Sequence, residues 1–201
     1  MDGNGFLRQT LIRTQSHEGV PSMSPELASL NSAPRQEAVR LMTTLVERSA
    51  WVAEAALEAR PFDTDEALTG ALVEVILKAT PGRRHALFNA HPELGGRDAR
   101  TGQMTVASTG EQGRLGLHLL TGEEASRLSR LNEDYRKKFG HPFIIALHRI
   151  PERAALFELF QSRSKASVIE EHVTTLAEIT SVIRSRSRAA FGLTNLTVPL
   201  N

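Results

Sequence analysis

The amino-acid sequence predicts an all-α fold, a single-domain helical bundle preceded by a flexible N-terminal arm. Apolar residues recur at helical spacing along most of the chain, helix caps and helix stops separate these stretches, and strand signals are few. A chain of 201 residues is long enough for one domain with a substantial core. We therefore expect an arm at 1–23, one helical domain at 24–195 and a tail at 196–201.

The arm and the first helices differ in composition. Residues 1–23 are polar, rich in Gly, Ser and Gln, and lack a sustained period, as disordered segments do. Order is expected to begin at Ser24-Pro25, because serine is a favoured N-cap and proline a favoured first helical residue. Two helical stripes follow, with a stop at Pro61 between them. Their apolar residues are Ala38, Leu41, Met42, Leu45 and Val46, then Leu68, Leu72, Val75 and Ile76.

Capping signals set the expected helix boundaries in the second half of the chain. The segment from Thr121 to Glu124 has the form of a capping box, in which threonine and glutamate each satisfy a free amide of the first turn. Gly140 suits the left-handed position after a helix. Pro151 is expected to open a further helix, and 167–190 to form the last one.

Composition narrows the function classes. The net charge is +1 and basic residues are scattered, so no nucleic-acid partner is expected. The absence of cysteine excludes disulfides and thiolate chemistry, and it fits a cytoplasmic protein. No apolar run approaches the roughly 20 residues that span a bilayer, so no membrane segment is expected.

Polar residues that suit proton transfer concentrate in two segments. If 105–119 is helical, Ser108, Glu111 and Gln112 lie on one face and can converge on a small ligand. The alternative is an ordinary solvated helix start with Ser108 as its cap. His91 follows a short helix expected from Thr80-Pro81 and precedes a proline, which places an imidazole at a loop position. With seven histidines in the chain, an ordinary structural role for His91 is the alternative.

Other kinds of site have little support in the sequence. No histidine pair has the spacing of a zinc peptidase, so no metal is expected. Nucleophile-elbow, phosphate-loop and dinucleotide motifs are missing, which favours an enzyme without a cofactor. Arg184 and Arg186 either stabilise the end of the last helix or grip a carboxylate or ureido oxygen. The apolar run from Phe143 to Leu147 has no partner strand and is expected to be buried loop or helix.

Taken in order, these motifs resemble the OHCU decarboxylase family from about Leu27 to about Ala190. The resemblance rests on Trp51, Arg60-Pro61-Phe62, His91-Pro92-Glu93-Leu94, Ser108-x-x-Glu111-Gln112, Gly116-Leu117, Leu131-Asn132-x-x-Tyr135, Lys138-Phe139-Gly140-x-Pro142-Phe143-Ile144, Leu176-Ala177-Glu178-Ile179 and Arg186. It implies a cofactor-free, all-helical carboxy-lyase, often a homodimer. The implied reaction is decarboxylation of 2-oxo-4-hydroxy-4-carboxy-5-ureidoimidazoline to (S)-allantoin in urate degradation, a branch of purine metabolism.

The resemblance also implies roles for particular residues. His91 corresponds to the catalytic acid/base, Glu111 assists it, and Arg186 is the arginine of the last helix. The implied substrate-binding residues are Pro92, Ser108, Gln112, Phe143, Ile144 and Ile145, the last three mainly through their main chain. We expect these groups to meet in one pocket, with His91 paired to Glu111.

Several positions depart from the family pattern. Glu93 stands where Asp is common, His141 where Phe is common, and Ser187 and Ser164 follow arginines where Leu is usual. The arginine of the last helix is therefore either Arg186 or Arg184. Two other readings of the chain are a non-catalytic helical interaction module with a vestigial pocket and a metal-dependent hydrolase that uses the histidines.

Overall fold

A computed structural model describes residues 23–193, and these form ten α-helices and three 3-10 turns without a β-strand. The α-helices are α1 (Pro25–Ser32), α2 (Arg35–Thr43), α3 (Ala50–Ala56), α4 (Asp65–Lys78), α5 (Pro81–Ala90), α6 (Arg97–Thr101), α7 (Val106–Arg114), α8 (Gly122–Phe139), α9 (Arg153–Arg163) and α10 (Val168–Phe191). The all-α prediction is confirmed for this part of the chain. The expected tail at 196–201 and all but the last residue of the expected arm lie outside the described residues.

The first and last helices are joined at a cap. The Ser24 hydroxyl oxygen accepts the Leu27 amide at 3.1 Å and so caps α1, as its position before Pro25 predicted. The same hydroxyl donates to the carbonyl oxygen of Phe191 at 2.6 Å. One buried side chain therefore starts α1 and satisfies a carbonyl at the end of α10.

Two predicted helix starts are wrong in detail. Thr121 is the N-cap of α8, but its side chain makes no capping hydrogen bond, and Glu124 instead forms an ion pair with Arg153 at 3.2 Å. A complete capping box starts α10, between Ser167 and Glu170. The helix expected at Pro151 begins two residues later, at Arg153. Gly140 ends α8 with φ of 79°, as predicted.

The described residues bury two apolar cores. The first joins α1 to α5 with the second half of α10; among its members are Leu30, Met42, Val52, Leu72, Phe88, Ile179 and Ile183. The second joins α8 and α9 with the 3-10 turn after α7; among its members are Leu117, Leu128, Tyr135, Phe157 and Phe160. The segment 143–147 runs between the cores, with Ile144 in the first and Phe143, Ile145 and Leu147 in the second.

Segment 143–147 is buried, as predicted, and of the two predicted alternatives, loop or helix, residues 143–146 form the loop. Charged side chains form the hydrogen bonds to its main chain that a neighbouring strand would otherwise form. Arg163 Nη1 donates to the Ile144 carbonyl at 2.8 Å, and the Ala146 amide donates to Glu178 at 2.8 Å. Arg114 donates to the carbonyls of Leu147 and Ile150. These bonds satisfy main-chain groups that would otherwise be buried without a partner.

The helix α10 supplies two of the carboxylates that organise this region. Glu178 holds the Ala146 amide, and Glu171 pairs with Arg163, which in turn holds Ile144. The Arg163–Glu171 pair is almost fully buried, with 7% and 1% of the side chains exposed. Loss of one partner from such a pair usually costs about 3–5 kcal/mol, because the other charge is left buried alone. The position of segment 143–147 thus depends on ionic contacts to α9 and α10.

Candidate functional site

A pocket open to solvent lies between the two cores and contains about 380 Å³ of space that protein atoms leave free. All nine residues predicted for a site line it: His91, Pro92, Ser108, Glu111, Gln112, Phe143, Ile144, Ile145 and Arg186. Leu94, Leu147 and Val182 complete the wall. The structure therefore brings together residues that are up to 95 positions apart in the sequence.

His91 ends α5 with extended backbone, which agrees with the expectation from Pro92. Its Nδ1 lies 2.9 Å from the Leu87 carbonyl oxygen. A carbonyl is only an acceptor, so Nδ1 carries the hydrogen and Nε2 is left as the basic nitrogen of the neutral ring. Burial lowers the pKa of His91 below its usual 6.5, against opposing contributions from the Leu87 carbonyl and two carboxylates. The imidazole is thus neutral at neutral pH and suited to accept a proton.

The helix α7 presents Ser108, Glu111 and Gln112 on one face, as their spacing predicted. The alternative with Ser108 as the helix cap is wrong. Thr105 is the cap, and its hydroxyl oxygen accepts the Ser108 amide at 3.3 Å. Ser108 lies in the first turn of α7, where its buried side chain is free to join the polar contacts behind the pocket.

Arg186 binds two carboxylates at the inner end of the pocket. Its Nε and Nη2 each donate to one oxygen of Glu111 at 2.8 Å, which is the two-bond geometry that guanidinium and carboxylate favour. Its Nη1 donates to Glu47 at 3.4 Å. The side chain of Glu47 is fully buried, whereas that of Glu111 is 30% exposed towards the pocket. One cation therefore holds two anions, one inside the protein and one at the pocket surface.

The predicted pairing of His91 with Glu111 is wrong as a direct hydrogen bond. The carboxylate of Glu111 is held by Arg186, and the described residues show no hydrogen bond between His91 and Glu111. Both line the same pocket, and the negative charge of Glu111 raises the pKa of His91 against the effect of burial. Their interaction is therefore electrostatic across the pocket.

The structure also separates the two candidate arginines. Arg184 is exposed and pairs with Glu66 at 3.2 Å, outside the pocket. Arg186 lines the pocket with only 10% of its side chain exposed. Two residues along a helix turn a side chain by about 200°, so the two arginines face different surroundings.

Gln112 supports the pocket wall from the side of α7. Its Oε1 accepts the Gly95 amide at 2.9 Å, and its Nε2 donates to the Glu93 carbonyl at 3.4 Å. Gly95 has φ of 57°, and a Cβ there would lie 2.8 Å from a Leu128 methyl group, so this close packing requires glycine. The amide of Gln112 thus fixes the loop that follows His91.

Three of the four departures from the family pattern, at Glu93, His141 and Ser187, have structural explanations. Glu93 is long enough to pair with Arg136 at 2.7 Å. His141 is buried and packs as an aromatic ring against Phe88 and Tyr135, with centroid distances of 5.0 and 5.7 Å. The buried Ser187 hydroxyl donates to the Asp65 carbonyl at 3.1 Å, where a leucine would have no such bond.

Sequence reasoning missed Glu47 and the cap Thr105. Glu47 accepts hydrogen bonds from Ser108 at 2.7 Å and from Thr105 at 3.0 and 3.1 Å. The only signal in the sequence is a carboxylate directly after Leu45 and Val46 at the end of an apolar stripe. That pattern is also common at the exposed end of a helix.

Between 23 and 193 no three or more His, Asp or Glu side chains are grouped so that they could hold a metal ion. None of the helices in that range combines the length and apolar character that crossing a membrane requires. A larger polar cleft of about 880 Å³ is lined in part by Glu93, Gly95 and Arg136, and His91, Glu111 and Arg186 are not among its lining residues.

Comparison with known proteins gives a consistent result. The family model described as "OHCU decarboxylase" matches residues 31–188. The 2-oxo-4-hydroxy-4-carboxy-5-ureidoimidazoline decarboxylase of Amia calva is 30% identical over 161 residues, 80% of this chain and 91% of that protein. The protein of the same name in Haloferax volcanii is 33% identical over 147 residues, 73% of this chain and 84% of that protein.

A longer relative and a solved structure extend the comparison. The uric acid degradation bifunctional protein of Bacillus sp. (strain TB-90) is 31% identical over 82% of this chain, which spans only 32% of that protein. The crystal structure of an (S)-allantoin synthase superposes with a TM-score of 0.64 at 23% identity, over 82% of this chain and 53% of that one. At this identity the superposition shows a shared fold.

Three histidines with lowered pKa values predict how stability depends on pH. Burial is the main cause of a lowered pKa for His91, His141 and His172, each below the usual 6.5. Below about pH 6.5 the unfolded chain therefore binds more protons than the folded chain, and the free energy of unfolding falls as pH drops. We expect the urea midpoint to decrease from about pH 7.5 to about pH 5.5.

The variant His141→Phe provides the control for this prediction, because phenylalanine suits the aromatic surroundings of that position and does not titrate. Its urea midpoint should depend less on pH in the same range. The exposed carboxylates Glu37, Glu74 and Glu170 have a pKa below 4.5, so their protonation changes the free energy of unfolding only at pH values below this range. A midpoint that stays constant or rises on acidification to about pH 5.5 would contradict the prediction.

Proposed function

This chain belongs to the OHCU decarboxylase family, and from that premise we propose that it converts 2-oxo-4-hydroxy-4-carboxy-5-ureidoimidazoline to (S)-allantoin and CO₂ in urate degradation. The observation that carries the proposal is the pocket itself. A neutral imidazole with a basic Nε2 lies in one small, mainly apolar pocket with a carboxylate and a guanidinium. That set suits proton transfer on a small anionic molecule.

The chemistry needs one electron acceptor and two proton transfers. Breaking the bond to the carboxylate releases CO₂ and leaves an electron pair on the ring carbon that bears the hydroxyl group. The pair forms a double bond to the adjacent carbon, and the electrons of the ring C=N bond move to nitrogen, which takes up one proton. The hydroxyl group then becomes a carbonyl, and the carbon bearing the ureido group receives a proton. The net change is loss of CO₂ and gain of one proton by the substrate anion.

We assign the proton transfer between the hydroxyl group and carbon to His91. Its lowered pKa keeps the ring neutral before substrate binds, so Nε2 accepts the hydroxyl proton. The imidazolium then delivers a proton to the neighbouring carbon from the side on which His91 lies. Delivery from one fixed side yields one enantiomer, whereas protonation by water yields both. A single acid/base group of this kind contributes about 10²–10⁴-fold to a rate.

Glu111 and Arg186 are assigned to the polar groups of the substrate. The guanidinium has five N–H groups, and four hydrogen bonds to Glu111, Glu47 and Ser108 are formed in the described part of the chain. The remaining Nη1 hydrogen is a donor for a carboxylate or carbonyl oxygen. Glu111, which is partly exposed to the pocket, is the acceptor for ureido N–H groups.

The remaining pocket residues define shape and add main-chain contacts. The amide and carbonyl of Ile145 take part in no main-chain hydrogen bond within residues 23–193, which supports a role in binding the ring. Phe143, Ile144 and Pro92 line the pocket beside it. Ser108 and Gln112 also line the pocket, and their observed bonds to Arg186 and the Gly95 loop support positioning as well as contact.

We propose further that the reaction requires no metal or organic cofactor. The ring C=N bond is itself the electron acceptor, so the carbanion does not need a Schiff base, thiazolium or metal ion to stabilise it. Full activity after exhaustive dialysis against a chelator supports this part of the proposal, and activity that is lost and then restored by a metal ion contradicts it.

Two finer proposals concern assembly and compartment. We propose a homodimer, because Val168, Ile169 and Val173 form an exposed apolar strip at the start of α10. We propose a cytoplasmic location, because the sequence without cysteine suits a reducing compartment. If the protein sediments as a monomer at micromolar concentration, the homodimer proposal is contradicted. Recovery of the native protein outside the cytoplasmic fraction contradicts the proposed location.

The function and the role of His91 are tested in one experiment. Substrate is generated from urate in situ, and circular dichroism follows the accumulation of one allantoin enantiomer. The wild-type chain should produce an excess of (S)-allantoin, and His91→Ala should lower the rate by about 10²–10⁴-fold, because the proton carrier is removed. Helicity should remain unchanged.

His85→Ala serves as the matched control, since His85 is an exposed histidine of the same helix. It should retain the wild-type rate. A racemic product with the wild-type chain would refute the proposed function. A near-normal rate for His91→Ala would refute only the role of His91.

The choice between the two arginines is tested by paired substitutions. Arg186→Lys keeps the positive charge but removes the two-bond contact to Glu111 and the donors to Glu47 and Ser108. We expect kcat/KM to fall by roughly 10-fold to 100-fold, which corresponds to about 1.4–2.7 kcal/mol. Arg184→Lys should change kcat/KM by less than about twofold, because this exposed side chain pairs with Glu66 at the surface, outside the pocket. Equal losses in the two variants would contradict the assignment.

A further inference from the structure

We propose that Glu47 is a positioning residue for the reaction, which fixes Arg186 and Ser108 from behind the pocket. This inference rests on the proposed function, because its effect is read through the decarboxylation. Glu47 is absent from the pocket lining that contains segment 143–147. It acts through residues that do line that pocket.

The carboxylate of Glu47 is the centre of a buried polar cluster. No part of its side chain is exposed, and it accepts hydrogen bonds from Ser108 at 2.7 Å, from Thr105 at 3.0 Å and from Arg186 at 3.4 Å. Ser108 in turn accepts from Arg186 Nη2 at 3.3 Å. These three donors fix the orientation of the buried carboxylate, because each hydrogen bond holds one of its oxygens in place. Glu47 thereby connects the start of α7 to the end of α10.

The turn that carries Glu47 is itself held in an unusual conformation. Arg48 has φ of 44°, a left-handed backbone that residues with a side chain rarely adopt. The Arg48 guanidinium binds Asp98 at 3.0 Å and also the Gln103 carbonyl, just before the cap Thr105. The turn is therefore bound to the segment before α7 by Arg48 at the protein surface, and to the cap Thr105 by Glu47 in the interior. Such a conformation persists only where surrounding contacts impose it.

The two carboxylates on Arg186 differ in their freedom to move. Glu111 is 30% exposed at the pocket, whereas Glu47 is fully buried. When Glu111 turns to ureido N–H groups of a substrate, Glu47 remains bound to the guanidinium. Arg186 then keeps its orientation, so its remaining Nη1 hydrogen stays available to the substrate. Glu47 is thus the permanent partner of Arg186, and Glu111 is the exchangeable one.

The charge of Glu47 also acts on His91. The charged groups that face the imidazole are Glu47 on the turn after α2, Glu111 on α7 and Arg186 on α10, and the Leu87 carbonyl binds its Nδ1. Burial and Arg186 lower the pKa of His91, and the two carboxylates raise it. Removal of the negative charge at position 47 should lower this pKa further. The acid limb of the pH profile, where His91 takes up its proton, should then move to lower pH.

The test compares Glu47→Gln and Glu47→Asp with wild type in the stereospecific assay. Glu47→Gln keeps the shape and removes the charge, so we expect kcat/KM to fall about tenfold or more and the acid limb of kcat/KM to move to lower pH. Glu47→Asp keeps the charge but shortens the side chain. It should raise KM, recover part of the lost kcat, and leave the acid limb close to that of wild type. Glu58→Gln, an exposed glutamate paired with Arg35, is the control and should behave as wild type.

The outcomes separate this inference from the proposed function. If the wild-type chain is inactive, the proposed function is refuted. If wild type is active and a folded Glu47→Gln keeps its kcat/KM and acid limb, the inference is overturned. It is also overturned if the rate falls in proportion to lost stability with an unmoved acid limb, since that pattern indicates a purely structural role. If Glu47→Gln does not fold, Glu47→Asp decides, and wild-type kcat and KM in that variant overturn the inference.

Discussion

The pocket depends on one guanidinium held between two carboxylates. Arg186 joins α10 to α7 through Glu111 and to the turn after α2 through Glu47, so three distant segments share one ionic cluster. Such a cluster is stable inside a protein only if each charge has hydrogen-bonding partners. The orientation of Ser108 and the exposure of Glu111 follow from where these groups lie, and their charges adjust the pKa of His91, which burial lowers. The site is therefore set by electrostatics before any substrate enters.

A second constraint comes from the irregular segment between the two cores. An extended stretch without a strand partner leaves amides and carbonyls to be satisfied, and charged side chains from α7, α9 and α10 satisfy several of them. Main-chain groups of Ile145 are not used within the described residues. A β-strand at this position would have engaged its main chain in a ladder. Irregular structure thus leaves polar groups beside His91 for a ligand.

Much of this arrangement was predictable from the sequence, because helical spacing and caps are local. The face of α7, the helix before His91 and the burial of segment 143–147 all follow from patterns within a few residues. The contacts of Glu47 and the partner of Glu111 could not be predicted in this way. Arg186, which binds both carboxylates, lies 139 residues from Glu47 and 75 residues from Glu111. The capping box at Thr121 failed for a related reason: Glu124 has a distant arginine as a competing partner.

The helix α10 carries Glu171, Glu178 and Arg186 at intervals of seven and eight residues, close to two helical turns each. These three side chains meet α9, the irregular segment and α7 in turn. A deletion or insertion of one residue early in the helix would rotate those beyond it by about 100° and remove them from their partners together. Insertions and deletions between these charged residues should therefore be tolerated much less in evolution than substitutions of the residues that face outward.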